Sequence, residues 1–532
     1  MSAFAPVLIA GDWRASLDAR AGFRAFDPIS AGEIGPEFPV SGAADVEAAL
    51  AAASAAATQL AACEPARIAA FLDAYAAAIE ADAATLVDLA HAETALPREP
   101  RLAKVELPRT TNQLRQAAQA VRASSWTQPT LDTQAGLRSH FAPLNKPVLV
   151  FGPNNFPFAF NAIAGSDFAS AIAARNPVIA KAHPSHPATS RRLAELAHRA
   201  VLDAGLPAAS VQMLYHVDNA LGAKLAGDAR LGAIGFTGSR AGGLALKAAA
   251  DAAGVPIYAE MSSVNPVFLL PGALAERGAE LAQEFFASCT MGSGQFCTNP
   301  GIVIVPHGAD GDAFVSATSA LFANAPANVL FSQGVLDHFR RGLATLTDAG
   351  ARVLAEGQAD ARPGYRQAPT LLGVDAQQFL AAAQALQTEV FGPASLIVRT
   401  QNIEDMIAVA QSFDGNLTGT LYTSKQSDID EAAAAKIAQA LRPRIGRLIG
   451  NKMPTGVAVS AAMNHGGPYP STGHPGFTAV GMPAAIRRFA ALHCYDNVPA
   501  ALLPAELRDG NPGGMQRLID GRWTTDDVGK KS

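Results

Sequence analysis

Short apolar runs recur between residues 148 and 260: Val148-Leu149-Val150-Phe151, Val178-Ile179-Ala180, Val211-Gln212-Met213-Leu214, Ala233-Ile234-Gly235-Phe236 and Pro256-Ile257-Tyr258-Ala259. Most are separated by segments with helical spacing, such as 190–204 and 242–253. Runs this short, bounded by turn residues, read as strands, and their alternation with helices predicts βαβ units in a parallel sheet. A second α/β region follows from Val267-Phe268-Leu269-Leu270 to about residue 475, with helices near 310–325 and 428–440 and strands near 395–399 and 417–422. Ahead of both, residues 1–40 read as short strands and turns around Val7-Leu8-Ile9 and Phe23-Arg24-Ala25-Phe26. An Ala-rich helix spans 43–62, with Ser41 as a candidate cap and Asp45 and Glu47 favourable near its N-terminus. More helix follows over about 66–122. Residues 126–146 and 484–499 are extended in character, and the tail after Pro504 is Gly- and Asp-rich and reads as peripheral. No internal repeat stands out.

Composition narrows the function classes. The 532 residues are 49% hydrophobic and 16% charged, which suits a globular enzyme of two or three domains. The net charge is −5 and no basic block occurs beyond Lys530-Lys531, so nucleic acid and anionic membranes are poor partners. The start, Met1-Ser2-Ala3-Phe4-Ala5-Pro6, lacks the basic and apolar regions of a signal peptide, and the apolar runs are too broken to span a bilayer. Four scattered cysteines make no disulfide framework, so the expected compartment is the cytoplasm. No histidine spacing suggests a metal site, and His183 and His186 read as structural or cofactor-facing.

Parallel sheets bind ligands beyond the carboxyl ends of their strands. The residues there are Asn154-Asn155, Lys181, Thr237-Gly238-Ser239 and Glu260. Taken singly, each has a plain structural explanation. Asn155 suits a turn equally well. Lys181 suits a solvated surface, and Glu260 suits a rim ion pair. The Gly235-Phe236-Thr237-Gly238-Ser239 turn is not a G-x-G-x-x-G fingerprint, although a phosphate at the following helix N-terminus is physically reasonable. Cys297 lies in Gly292-Ser293-Gly294-Gln295-Phe296-Cys297-Thr298-Asn299-Pro300-Gly301, a flexible loop ahead of the apolar run Ile302-Val303-Ile304-Val305. A lone cysteine is more often a small core residue than a nucleophile. Glu389 and Phe391, in Glu389-Val390-Phe391-Gly392-Pro393, pair a carboxylate with an aromatic, which suits a ribose and a flat heteroaromatic ring.

Together these stretches, with Asn155-Phe156-Pro157, resemble the aldehyde dehydrogenase superfamily from about residue 8 to residue 500. Three further stretches resemble its α-ketoglutaric semialdehyde (2,5-dioxovalerate) dehydrogenase branch: Lys181-Ala182-His183-Pro184-Ser185-His186-Pro187, Ala259-Glu260-Met261-Ser262-Ser263-Val264-Asn265-Pro266 and His465-Gly466-Gly467-Pro468-Tyr469-Pro470. Related NADP-linked fatty-aldehyde enzymes share part of the pattern.

The resemblance implies an α/β fold with a Rossmann-type cofactor domain (1–125 and 147–258), an α/β catalytic domain (259–475), a small β oligomerisation arm (126–146 and 484–499) and a C-terminal tail (500–532). It implies Cys297 as nucleophile, Asn155 as oxyanion donor and Glu260 as the base for water. Lys181, His183, Ser185, Gly238, Ser239, Glu389 and Phe391 would bind NAD or NADP, and no metal is required. Phe156, Phe160, Phe296 and Thr298 would line the substrate tunnel of a homodimer or homotetramer. NAD-using relatives often carry a Glu where this chain has Pro184, and its absence removes a repulsion toward a 2′-phosphate, which favours NADP. The expected reaction converts 2,5-dioxopentanoate to 2-oxoglutarate. No Arg or Lys stands beside Asn155 or Cys297 to bind a distal carboxylate, so an apolar aldehyde is the first alternative. A CoA-acylating enzyme and a non-catalytic binding relative are disfavoured, because Glu260, Cys297 and Asn155 are all present.

Overall fold

The computed structural model describes residues 4–529; Met1-Ser2-Ala3 and the Lys530-Lys531 pair lie outside the described residues. Two seven-stranded sheets carry the fold. The first runs in the order Ile257–Glu260, Ala233–Thr237, Val148–Phe151, Val178–Lys181, Val211–Leu214, Val7–Ile9, Asp12–Arg14. Its first five strands are mutually parallel, as the alternation with helices predicts, and the two N-terminal strands close one edge antiparallel. The strand Val148–Phe151 is central, and the chain passes from it first to one side and then to the other. Such a reversal opens a crevice at the strand ends.

The second sheet runs Arg352–Glu356, Thr370–Asp375, Ala394–Thr400, Ile302–Pro306, Val267–Leu269, Asn416–Tyr422, Ile445–Gly450. Both of its faces are covered. Val267, Leu269, Val303 and Val305 pack into one apolar cluster, and Phe268, Ile302 and Ile304 into another on the opposite face. That is why its strands read as unbroken apolar runs rather than alternating ones. The edge strand Ile257–Glu260 of the first sheet leads through residues 261–266 straight into Val267–Leu269 of the second. Carboxyl ends of one sheet therefore face amino ends of the other.

The extended runs do form a third, five-stranded sheet in the order Ala490–Asp496, Leu137–Pro143, Thr130–Asp132, Arg517–Ile519, Arg522–Thr524. The tail corrects the sequence expectation. It is not peripheral, because it supplies two of these strands. It is also pinned by the fully buried Arg517, which donates to the carbonyls of Arg508, Asp509 and Asp526. A lone arginine in a Gly-rich stretch gives no periodic signal of this. Ser41 is likewise not the cap of the first long helix, Ala43–Ala61. Asp18 takes that role from outside the segment, accepting from the amides of Ala44 and Asp45 at 2.8 and 3.2 Å. Among the described residues no helix is long and apolar enough to cross a membrane.

Candidate active site

Strand register builds the rim. Phe151 pairs with Lys181 on one side and Phe236 on the other, and Thr237 pairs with Glu260. The loop after Phe151 thus delivers Asn155 beside the Gly238-Ser239 turn, Lys181 and Glu260. Ser239 caps the helix Arg240–Ala252 by accepting from the Gly242 amide. The Gly238-Ser239 turn lines the crevice, with the positive end of the helix dipole behind it.

The Cys297 loop descends from the other sheet. Gly292 and Ser293 both adopt left-handed backbone, at φ 55° and 60°. Gly294, at φ 67°, has no room for a side chain: a Cβ there would lie 2.2 Å from the Gly392 carbonyl oxygen. The loop and the Glu389–Pro393 stretch are therefore in backbone contact, which fixes Cys297 relative to Glu389. Asn265 holds the peptide from behind. Its amide donates to the carbonyls of Cys297 and Asn299, both at 2.9 Å, while its own oxygen accepts from Ser263 and Thr418. A buried amide with all these partners is a rigid clamp. Asn155, also buried, donates to the Gln295 carbonyl at 3.0 Å. That leaves its second N–H for a group approaching the sulfur.

Around the thiol the structure adds a residue to which the sequence reading gave no role. His465 Nε2 lies 3.5 Å from Cys297 Sγ and 3.0 Å from Glu260 Oε1. Glu260 and His465 are only 1% and 2% exposed, so their contact is not weakened by water. The imidazole is not aligned to hydrogen-bond the carboxylate, and neither Glu260 oxygen has a hydrogen-bond partner within the protein. Burial pushes the Cys297 thiol well above its ordinary range, and the neighbouring Glu260 charge pushes it further. In this arrangement the sulfur is a thiol, and it needs a base to become a nucleophile. The sulfur, the imidazole nitrogen and a carboxylate oxygen lie within 4.8 Å of one another. Three distant segments supply them, so no local spacing announces the cluster.

A cleft of about 550 Å³ runs from this cluster toward the cofactor-type residues. Of the residues singled out from sequence, it is lined by Asn155, His183, Gly238, Ser239, Glu260, Cys297, Glu389 and Phe391. Ser332, His338 and Arg341 complete a wall that the sequence did not reveal. Lys181 and Ser185 stand behind His183 rather than in the lining; the Ser185 amide donates to His183 Nδ1 at 3.1 Å. Burial lowers Lys181 to about 8 and raises Glu389 to about 7. His183 and His186 are held neutral, chiefly by burial, with His186 near 4 and bonded to the Pro153 carbonyl. A helix N-terminus and a half-buried carboxylate along one cleft, with a half-buried lysine just outside its lining, fit the phosphates and ribose hydroxyls of a dinucleotide.

On the far side of Cys297, Phe156, Phe160 and Phe296 form an aromatic cluster with edge-on contacts of 5.1 and 5.5 Å between ring centres. Val457, Val459 and Met463 pack against it from the segment 453–463, which has no regular secondary structure. Thr298 is buried, and its hydroxyl accepts from the Gly456 amide at 3.2 Å, so it anchors that segment instead of offering a free group to the chamber. Arg101, Arg109 and Arg447 surround the aromatic cluster. None is adjacent in sequence to Asn155 or Cys297, which is why local reading found no cation here.

The family model described as the Aldehyde dehydrogenase family matches residues 13–486. The chain is 41% identical over 516 residues to Alpha-ketoglutaric semialdehyde dehydrogenase 2 of Azospirillum brasilense, covering 94% of this chain and 96% of that protein. It is 37% identical over 466 residues to the Alpha-ketoglutaric semialdehyde dehydrogenase of Acinetobacter baylyi, covering 85% and 86% respectively. Among solved structures, it superposes on lactaldehyde dehydrogenase from Escherichia coli with a TM-score of 0.79 at 22% identity, over 93% of this chain and 99% of that one, a likeness in fold.

Proposed function

We propose a substrate, a cofactor and a division of roles from one premise: the chain belongs to the aldehyde dehydrogenase family and oxidises an aldehyde to a carboxylic acid. The substrate is 2,5-dioxopentanoate and the product 2-oxoglutarate. The observation that carries this is the similarity, over most of both chains, to two α-ketoglutaric semialdehyde dehydrogenases. A second reading, a longer apolar aldehyde, is favoured by the Phe156, Phe160 and Phe296 cluster.

In the first step Cys297 Sγ attacks the aldehyde carbon and forms a thiohemiacetal. Its proton leaves to the Glu260–His465 pair, whose imidazole Nε2 lies 3.5 Å from the sulfur, and then to solvent. The free N–H of Asn155 and the Cys297 backbone amide stabilise the oxyanion, an effect worth about 10² to 10³-fold per donor. NADP or NAD, when bound, would supply the hydride acceptor for oxidation to the thioester. Lys181 and His183 would hold the adenine ribose with its 2′-phosphate, the Ser239-capped helix would take the diphosphate, Glu389 the nicotinamide ribose, and Phe391 would position the ring. Glu260, with no protein hydrogen bond on either oxygen, then draws a proton from water as the water attacks the thioester. A CoA-acylating enzyme would not need that base.

The five-stranded sheet pairs subunits of a homodimer or homotetramer, a reading supported by Leu492 and Trp523, which stand 64% and 56% exposed on its strands. The four cysteines are free, which fits a cytoplasmic protein.

The substrate is tested by following reduced cofactor with 2,5-dioxopentanoate and hexanal in parallel. We expect kcat/KM at least about tenfold higher for the dioxo acid; a preference for hexanal moves the enzyme to the second reading. The cofactor assignment carries a pH signature. Lys181 is lowered to about 8, so its charge is present below that pH and lost above it. Glu389 is raised to about 7, so it ionises to accept ribose hydroxyls only above that pH. The cofactor KM should therefore be lowest between about 7 and 8. On the alkaline side it should climb more steeply for NADP, whose 2′-phosphate needs the cation, than for NAD. Parallel alkaline limbs, or a lower KM for NAD throughout, would overturn the NADP assignment.

A further inference from the structure

A short oxo acid poses a problem that the aromatic chamber does not solve, because its far end carries a carboxylate that cannot be buried unpaired. Three guanidinium groups surround the chamber, and they are not equivalent. Arg101 lies over the Phe156 ring at 4.5 Å and over Phe296 at 5.4 Å. Its charge is already matched by Glu106, at 2.5 Å, and Glu106 is wholly buried. Its Nη2 donates to the Asn155 carbonyl at 3.1 Å, and only Nε, on the stem side, has no partner. Arg101 therefore shores up the oxyanion loop and has little left for a ligand.

Arg109 and Arg447 differ. Among the described residues, neither has a carboxylate within ion-pair distance. Arg109 stands over Phe160 at 5.1 Å and Phe156 at 5.7 Å. One of its terminal nitrogens donates to the Val457 carbonyl at 2.9 Å; the other, Nη2, is buried and has no partner. Arg447 donates through Nη2 to the carbonyls of Pro454 and Gly456. Its Nη1 meets only the Met463 sulfur, at 3.7 Å, a weak acceptor. Both arginines thus hold the same segment, at the adjacent residues Gly456 and Val457, and each keeps one strong donor without a strong acceptor. Burial lowers both guanidinium groups, and both flank the aromatic chamber, Arg109 over the Phe160 ring and Arg447 against Met463. Guanidinium groups of like sign that anchor adjacent residues of one segment and keep unused donors make an arrangement that a carboxylate completes.

We propose that Arg109 and Arg447 form the subsite for the distal α-keto carboxylate of the substrate, Arg109 through Nη2 and Arg447 through Nη1, with the rings of Phe156 and Phe160 flanking the carbon chain between. The inference rests on the oxo-acid reading of the preceding subsection. It also deepens it, since it names the groups that make an acidic aldehyde preferable to an apolar one of similar length. Specificity by burial alone distinguishes chain lengths weakly, whereas a site built to pair a charge rejects the ligand that lacks it.

The test compares wild type, Arg109→Gln, Arg447→Gln and Arg109→Lys on 2,5-dioxopentanoate, glutarate semialdehyde and pentanal, with 2-oxoglutarate as a product inhibitor and circular dichroism to verify folding. Each Gln variant should lower the ratio of kcat/KM for 2,5-dioxopentanoate to that for pentanal by about 30-fold or more, mainly through KM. It should weaken inhibition by 2-oxoglutarate in parallel, and Arg109→Lys should restore part of the ratio. Folded Gln variants whose ratio is unchanged, because both substrates suffer equally or neither does, overturn the subsite. Should wild type leave 2,5-dioxopentanoate unused yet prefer glutarate semialdehyde over pentanal, with the same loss in the variants, the subsite stands and the assigned substrate falls. Should wild type prefer pentanal to both acids, the subsite falls as well.

Discussion

Replacing Cys297 by serine should lower kcat by at least about 10⁴-fold, with the protein still folded and still binding cofactor. The reason lies in the acidity of the attacking group. The surroundings already disfavour the anion: burial and the facing Glu260 push even a thiol well above its usual range. An alcohol is a weaker acid by several units and would remain protonated against the same field. His465, 3.5 Å from the sulfur, would face a hydroxyl far less acidic than the thiol it replaces. Nor would an oxygen nucleophile give the thioester that water must later open. The check is single-turnover formation of reduced cofactor, together with mass spectrometry of enzyme quenched during turnover. A serine variant with wild-type turnover would sink the covalent mechanism.

Glu260→Gln should separate the two halves of the reaction. If the carboxylate serves mainly to activate water, the variant gives a burst of about one equivalent of reduced cofactor per subunit and then a steady state about 10² to 10⁴-fold slower. The acyl-enzyme accumulates and is visible by mass. A second readout follows from electrostatics. The Glu260 charge raises the Cys297 thiol, so removing that charge lets the thiolate form at lower pH. Alkylation of Cys297 by iodoacetamide should therefore shift its pH profile downward in the variant. A burst lost together with the steady state would show that the carboxylate is already required when sulfur attacks. An unmoved alkylation profile would show that the two groups do not interact as their placement implies.

The sequence made part of this site legible, for a physical reason. A parallel sheet converts strand ends into a rim, so Asn155, Lys181, Gly238-Ser239 and Glu260 could be assigned to one edge before any coordinates. Cys297 stood out through its loop, and Gly294 is now seen to be required by its approach to the Gly392 carbonyl. What stayed hidden was contact between distant segments. His465, Asn265 and the arginines at 101, 109 and 447 reach the site from helix, loop and strand positions whose neighbours carry no common pattern. His465 and Asn265 even lay within stretches used to mark the resemblance, yet nothing local distinguishes a clamp from a turn amide. The tail was misread for a similar reason: strands of three residues are below what periodicity can detect.

The segment 453–463 carries a consequence of another kind. It is tied down by Thr298 through the Gly456 amide, by Ser288 through the Thr455 hydroxyl, and by Arg109 and Arg447 through its carbonyls. It contributes Val457, Val459 and Met463 to the chamber, yet it belongs to neither large sheet. Ancestral substrate range could thus drift through insertions and substitutions in one short connection, while selection held the reacting atoms fixed. For protein engineering, the same stretch is a cassette: transplanting it between paralogues should reshape the apolar wall of the chamber, while the charge at its far end stays with Arg109 and Arg447.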